Sequence, residues 1–186
     1  MPRLLIVLCF LIAPAVLAQQ QSAEAIQKAL NSESSVIASW GMDKVFLEAV
    51  RAQNAKKVKF ADIEAIDKQW MAGKADDVVK RVITGQCADH LRQLVSQHPG
   101  FGEAFVMDDQ GALVCANART SDYWQGDESK WQRSFNGGKG AVFIDRPRYD
   151  ESAQMPLAQI SVPVMYGRKA IGAITVGMNV YRLKGH

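Results

Sequence analysis

Residues able to bind a small charged molecule gather in two short stretches of this 186-residue chain. The first runs from Asp145 to Tyr149, with the sequence DRPRY. An arginine facing a pocket holds a carboxylate through two parallel hydrogen bonds, because its guanidinium is a planar fork of donors. Arg146 and Arg148 share one side if the preceding strand continues through Pro147. Asp145, or Asp122 further upstream, can hold an ammonium group. An acid and a base facing one cavity select an amino-acid-like ligand. The competing assignment for each is ordinary surface charge.

The second stretch runs from Thr120 to Trp131, TSDYWQGDESKW. It is too polar for a core and too aromatic for an ordinary loop. Aromatic rings suit a small-ligand pocket because they give rigid apolar walls with polar edges. Trp124 and Trp131 are seven apart, so a helical connector puts both on one side. Tyr123 and the two tryptophans can equally plug the open edge of a core.

Other chemistry finds little support. Cys87 and His90 are three apart, a ligand-like spacing on a helix, but no dense cluster of further ligands accompanies them. No metal site is expected. The NGGKG run at 136–140 lacks the spacing of a phosphate loop and reads as a turn. There is no G-x-S-x-G elbow and no C-x-x-C-H haem site. His98, before a proline at a helix end, fits a cap or surface role. No nucleophile, base and orienting group can be assembled, so neither an enzyme nor a cofactor is expected.

The bulk numbers narrow the class. At 48% hydrophobic and 22% charged the composition is that of a globular protein long enough for one domain. A formal charge of +3 is too small to argue for a nucleic-acid partner. Residues 1–18 carry one early cation, Arg3, an apolar run from Leu4 to Ile12, and a small-residue end at Ala18. This reads as a secretory signal cleaved after Ala18, with an uncleaved anchor as the alternative. The apolar run is short for an anchor, and no later segment approaches the roughly 18 apolar residues a membrane span needs. An exported, periplasmic protein is expected. Cys9 would leave with the signal. In an oxidising compartment the remaining Cys87 and Cys115 are a disulfide candidate; two buried thiols are the alternative.

The elements that must carry these residues divide into a helical half and a strand-rich half. Ile26, Leu30, Ile37 and Trp40 follow helical spacing up to Gly41, and a second helix covers about 43–53. A basic linker, RAQNAKKVK, leads to a short helix capped by Asp62 that carries Ile63, Ile66 and Trp70. A long helix is expected from about Ala75 to Gln97, about 35 Å in length, because Val79, Ile83, Cys87, Leu91 and Val95 recur every four residues. His98-Pro99-Gly100 stops it. GEAFVMDDQGALVCANA then reads as a hairpin. AVFID gives a third strand, and LAQISVPVM and AIGAITVGMNV alternate cleanly as two more. Pro163 hints at an edge or bulge. Five antiparallel strands with one apolar face need a cover, which the Val79–Val95 stripe can supply.

Across about 36–182, GEAFVMDDQGALVCAN, the SDYWQGDE connector, GAVFIDRPRYDE and the final AQISVPVMYGRKAIGAITVGMNV hairpin resemble an extracellular PAS-like sensor domain of the Cache, or PDC, type. The resemblance implies an α+β fold, a long N-terminal helix packed on a five-stranded antiparallel sheet. It divides the chain into the signal (1–18), an N-terminal helical segment (19–60) and one ligand-binding domain (61–186). It implies a ligand between the sheet and the connector, typically an amino acid, small carboxylate or amine. Tyr123, Trp124 and Trp131 fall where that connector closes over the ligand. It also implies a non-enzyme. Most such domains sit between two membrane helices and drive an output module. Here the chain ends at His186, so a stand-alone module acting through a separate membrane sensor kinase or chemoreceptor is expected. The N-terminal helix is a candidate homodimer surface. The rival expectation is a periplasmic interaction or regulatory subunit with no small-molecule ligand.

Overall fold

A computed structural model of the chain describes residues 12–150 and 155–185. The expected signal at 1–18 lies for the most part outside the described residues. No helix among the described residues is long and apolar enough to cross a membrane.

Helix α1 (Ile12–Trp40) buries Leu30 and Ile37 two turns apart, with Trp40 at its end. Helix α2 (Lys44–Ala55) begins where the Asp43 carboxylate accepts the Val45 N–H at 2.8 Å, a cap worth about 1 kcal/mol. Helix α3 (Phe60–Met71) starts earlier than expected. Asp62 therefore lies inside its first turn, where a negative charge meets the positive end of the helix dipole, and does not cap it.

The expected long helix over 75–97 is two helices, α4 (Asp76–Ile83) and α5 (Gln86–Ser96). The break falls at Gly85, whose φ of 89° costs glycine little. The four-residue stripe is real, but its halves serve different cores. Val79, Val82 and Ile83 pack into one apolar cluster; Cys87, Ala88 and Leu91 pack into another.

Among the described residues six strands follow: β1 (Phe101–Met107), β2 (Leu113–Ala116), β3 (Phe143–Ile144), β4 (Arg148–Asp150), β5 (Met155–Tyr166) and β6 (Lys169–Asn179). They pair antiparallel in the order β2-β1-β6-β5-β3, with β4 also on β5. The expectation of five strands missed β4, which resumes pairing after Pro147 interrupts the edge. Pro163 lies beyond Ser161, the last residue of β5 paired to β3, and a register shift follows at Val164/Met165. Just past that shift the Met165 N–H donates to the Gly41 carbonyl at 2.9 Å, tying β5 to the end of α1.

One sheet face buries Ala158, Ile160, Val162 and Val164 of β5 with Ile174, Val176 and Met178 of β6. Helices α1, α2 and α5 cover it, so the cover is mainly the N-terminal helices, joined by only the second half of the expected stripe. The α+β arrangement of a long N-terminal helix on an antiparallel sheet is the one observed. On the opposite face, cross-strand partners form a row: Phe105, Thr175, Ser161 and Phe143. The Ser161 and Thr175 hydroxyls are buried and bonded to each other at 2.8 Å, which satisfies both in the middle of the sheet. Helix α6 (Ser129–Phe135) crosses this row. The Lys130 ammonium lies 5.2 Å from the Phe105 ring centre and the Arg133 guanidinium 4.3 Å from that of Phe143.

Candidate functional site

The connector between β2 and α6 is fastened to its surroundings by hydrogen bonds. The Tyr123 and Trp124 N–H groups both donate to one Asp67 carboxylate oxygen on α3, at 2.8 and 2.9 Å. Leu113 N–H donates to the Tyr123 carbonyl, and Gln125 N–H to that of Gly111. The two indoles end on the β1–β2 turn. Trp124 Nε1 donates to the Gln110 carbonyl at 2.8 Å, and Trp131 Nε1 to that of Asp108 at 3.0 Å. Gly111 and Gly126 allow this closeness: a Cβ on Gly111 would lie 2.4 Å from the Gly126 Cα. Trp124 also meets Phe60 edge-on at 5.0 Å, and Trp131 stacks on Phe135 at 4.9 Å. Tyr123 is buried against Trp70, and burial, then the charge of Asp108, pushes its phenol pKa up to about 12. The Asp122 carboxylate takes the Gln125 amide at 2.7 Å and the Ser121 hydroxyl within its own turn.

Asp108 is a buried carboxylate at the centre of this knot. One of its oxygens accepts the Gln110 and Ala112 N–H groups, both at 2.9 Å. Desolvation outweighs those donors and raises its pKa above the usual carboxylate value. A raised folded-state pKa means that folding favours the protonated acid. That contribution is complete below the ordinary carboxylate range and is lost as pH rises through the raised value. An asparagine side chain at this position would keep an acceptor for both N–H groups without the charge. Asp108→Asn is therefore expected to gain on the native protein as pH rises from 4 to 7, read by thermal melts. A variant that instead falls further behind at pH 7 would sink this reading.

The residues of the first stretch come together elsewhere. Asp145, Arg146, Arg148 and Tyr149 line a cleft of about 310 Å³ with Glu128, Leu157 and Gln159. Its position follows from the strand register. Ser161, Gln159 and Leu157 alternate onto one face of β5. Helix α6 covers that face at Ser161, and the next two residues are left beside β3 and β4. Asp145 N–H donates to the Gln159 carbonyl at 2.8 Å, and Arg148 is the register partner of Leu157. Asp145 turns its carboxylate to its neighbours: it accepts the Arg146 N–H at 2.8 Å and lies 3.5 Å from the Arg148 guanidinium. Glu128, just before α6, pairs with Lys130 at 3.0 Å. The cleft thus has two arginines facing two acids.

Four of the expected binding residues, Asp145, Arg146, Arg148 and Tyr149, thus share one cleft. The other four, Asp122, Tyr123, Trp124 and Trp131, are not part of its lining. Sequence reasoning missed Glu128, Leu157 and Gln159. The signal for the last two was present, since they occupy the positions of β5 that alternate with its core residues. Cys87 on α5 and Cys115 on β2 are joined as a disulfide, their Cα atoms 6.0 Å apart.

No family model matches the chain, and no curated protein matches it. Solved structures do. One is the sensor domain of the histidine kinase DctB of V. cholerae, at 12% identity and a TM-score of 0.49, covering 94% of this chain and 59% of that one. A second is the ligand-binding domain of the amino acid chemoreceptor PctC of Pseudomonas aeruginosa PAO1 in complex with GABA. It matches at 14% identity and a TM-score of 0.43, over 70% of this chain and 62% of that one. A third is the ligand-binding domain of the Campylobacter jejuni chemoreceptor Tlp3 with 4-methylisoleucine, at 10% identity and a TM-score of 0.40, over 86% and 62%. The chain spans about three fifths of the length of these solved chains.

Proposed function

We propose that this chain is an exported small-molecule-binding sensor module that takes a free amino acid or small carboxylate and signals through a separate membrane receptor, a sensor kinase or chemoreceptor. The observation that carries the reading is the cleft of about 310 Å³ in which Arg146 and Arg148 face Asp145 and Glu128. A ligand carboxylate would take the guanidinium donors in a two-pronged bond, and an ammonium group would take the acids. Tyr149 gives an aromatic wall and Leu157 an apolar floor for a short side chain. Both arginines are exposed and can turn toward a ligand at small cost. The aromatic connector supports the site indirectly, by holding the start of α6, and with it Glu128, against the sheet.

The test is thermal denaturation against a panel of free amino acids and short mono- and dicarboxylates. A ligand present at 100 times its dissociation constant should add about 2.7 kcal/mol. For a domain of this size that is a rise of roughly 5–10 °C. Arg146→Ala with Arg148→Ala should abolish the rise and leave the unliganded melting temperature within about 2 °C, since exposed side chains contribute little to stability. A full panel with no shift would overturn the reading and favour an interaction subunit without a small ligand.

A further inference from the structure

The cleft described above is one end of a longer trough. A second depression of about 440 Å³ is lined by Phe101 and Glu103 of β1, Gly177 and Asn179 of β6, and Leu157 of β5, with Arg182 at its rim. It shares Leu157 and Gln159 with the first. The two are therefore continuous over β5, on the half of the sheet face that α6 leaves uncovered. The trough crosses the sheet from β1 over β6 and β5 to β3 and β4. With neighbouring strands about 4.8 Å apart, its length is about 14 Å.

Its floor has an unusual feature at Gly177. Elsewhere in the same strand, Gly172 has no choice, because a Cβ there would lie 2.2 Å from the Met107 carbonyl oxygen. Gly177 is under no such constraint. Its φ lies outside the left-handed region, and a Cβ would meet nothing closer than the Glu103 carbonyl oxygen at 3.5 Å. Neither backbone conformation nor packing asks for glycine there, and glycine weakens a strand. What the missing side chain does is keep the trough open at its middle.

We infer that the trough binds a short peptide of about four residues in extended form, lying across the strands. This rests on the ligand-binding reading of the cleft and narrows its ligand class. Four extended residues span about 14 Å, the length of the trough, whereas a free amino acid fills one end. Charges of both signs stand at both ends, Arg146 and Arg148 with Asp145 and Glu128 at one, Arg182 with Glu103 at the other. A peptide carries its amino and carboxylate groups at opposite ends and needs that separation. The middle combines apolar Leu157, the bare Gly177 and the Gln159 amide opposite it, which suits peptide backbone and small side chains.

The probes are alanine and tetraalanine, titrated by calorimetry against the native protein and Gly177→Val. A Cβ at 177 has room, and valine suits a strand, so the variant should fold; its melting temperature checks this. Tetraalanine is expected to bind the native protein at least tenfold more tightly than alanine. Gly177→Val should weaken tetraalanine at least tenfold and leave alanine within twofold, because the end cleft is untouched. Alanine binding as well as tetraalanine overturns the peptide inference and leaves the sensor reading standing. So does tetraalanine binding that ignores Gly177→Val. If neither probe binds and the metabolite panel is also silent, both fail.

Discussion

Trp70→Ala is expected to cost about 3–5 kcal/mol, the range for emptying a large buried aromatic site. In melting temperature that is a fall of roughly 6–20 °C. Trp70 is fully buried on α3. Its Nε1 donates to the Thr120 carbonyl at 2.9 Å, at the start of the connector. Its ring meets Tyr123 at a centre distance of 5.8 Å, and Arg119 stacks 5.7 Å above it. The Arg119 guanidinium in turn donates to the Trp70 carbonyl at 2.6 Å. Alanine therefore removes a ring from the second core and leaves the Thr120 carbonyl without its donor. Trp70→Phe separates the two effects. It keeps an aromatic ring, loses the N–H and part of the ring volume, so a cost of about 1–3 kcal/mol is expected. Equal losses for both variants in chemical denaturation would show that the hydrogen bond outweighs the packing and would refute the cavity argument.

Removing the disulfide should be nearly as damaging. Cys87 and Cys115 are 28 positions apart, and a closed loop of that size is worth about 3.6 kcal/mol in the chain-entropy model. The bridge fixes α5 to β2, two elements that cover and flank the same core. Cys87→Ala with Cys115→Ala keeps both positions apolar, so the loss reports the cross-link more than the packing. The expected result is a melting temperature lower by roughly 7–14 °C, matched by the native protein under a thiol reductant. A double variant that melts within 2 °C of the native protein would show that the bridge adds nothing.

Much of the fold was legible because burial imposes a period. The strand residues Ala158 to Val164 and Ile174 to Val180 alternate, and the structure buries them on one face. The stripe from Val79 to Val95 was legible as a period and misleading as an element. A constant spacing of four cannot reveal that one half faces α3 and the other the helix-covered face of the sheet. Only Gly85 marked the change, and glycine inside a helical pattern is a weak signal. The candidate cleft was half legible. Asp145, Arg146, Arg148 and Tyr149 are neighbours in sequence, so a short edge was bound to bring them together. Glu128 arrives from the far end of the connector, and sequence distance conceals that. The partners of Trp124 and Trp131 were invisible for a different reason. They are main-chain carbonyls of Gln110 and Asp108, and a carbonyl leaves no trace in residue identity.

Strand β5 runs from the floor of the trough at Leu157 to the backbone bond that Met165 makes with Gly41 at the end of α1. The two points are about 26 Å apart along an extended strand. One continuous piece of backbone therefore ends in the trough at one side and at the root of the N-terminal helix at the other. The floor of the trough at Leu157 is thus joined to α1 through backbone alone, by way of the shifted register at Val164/Met165 and the bond from Met165 to Gly41.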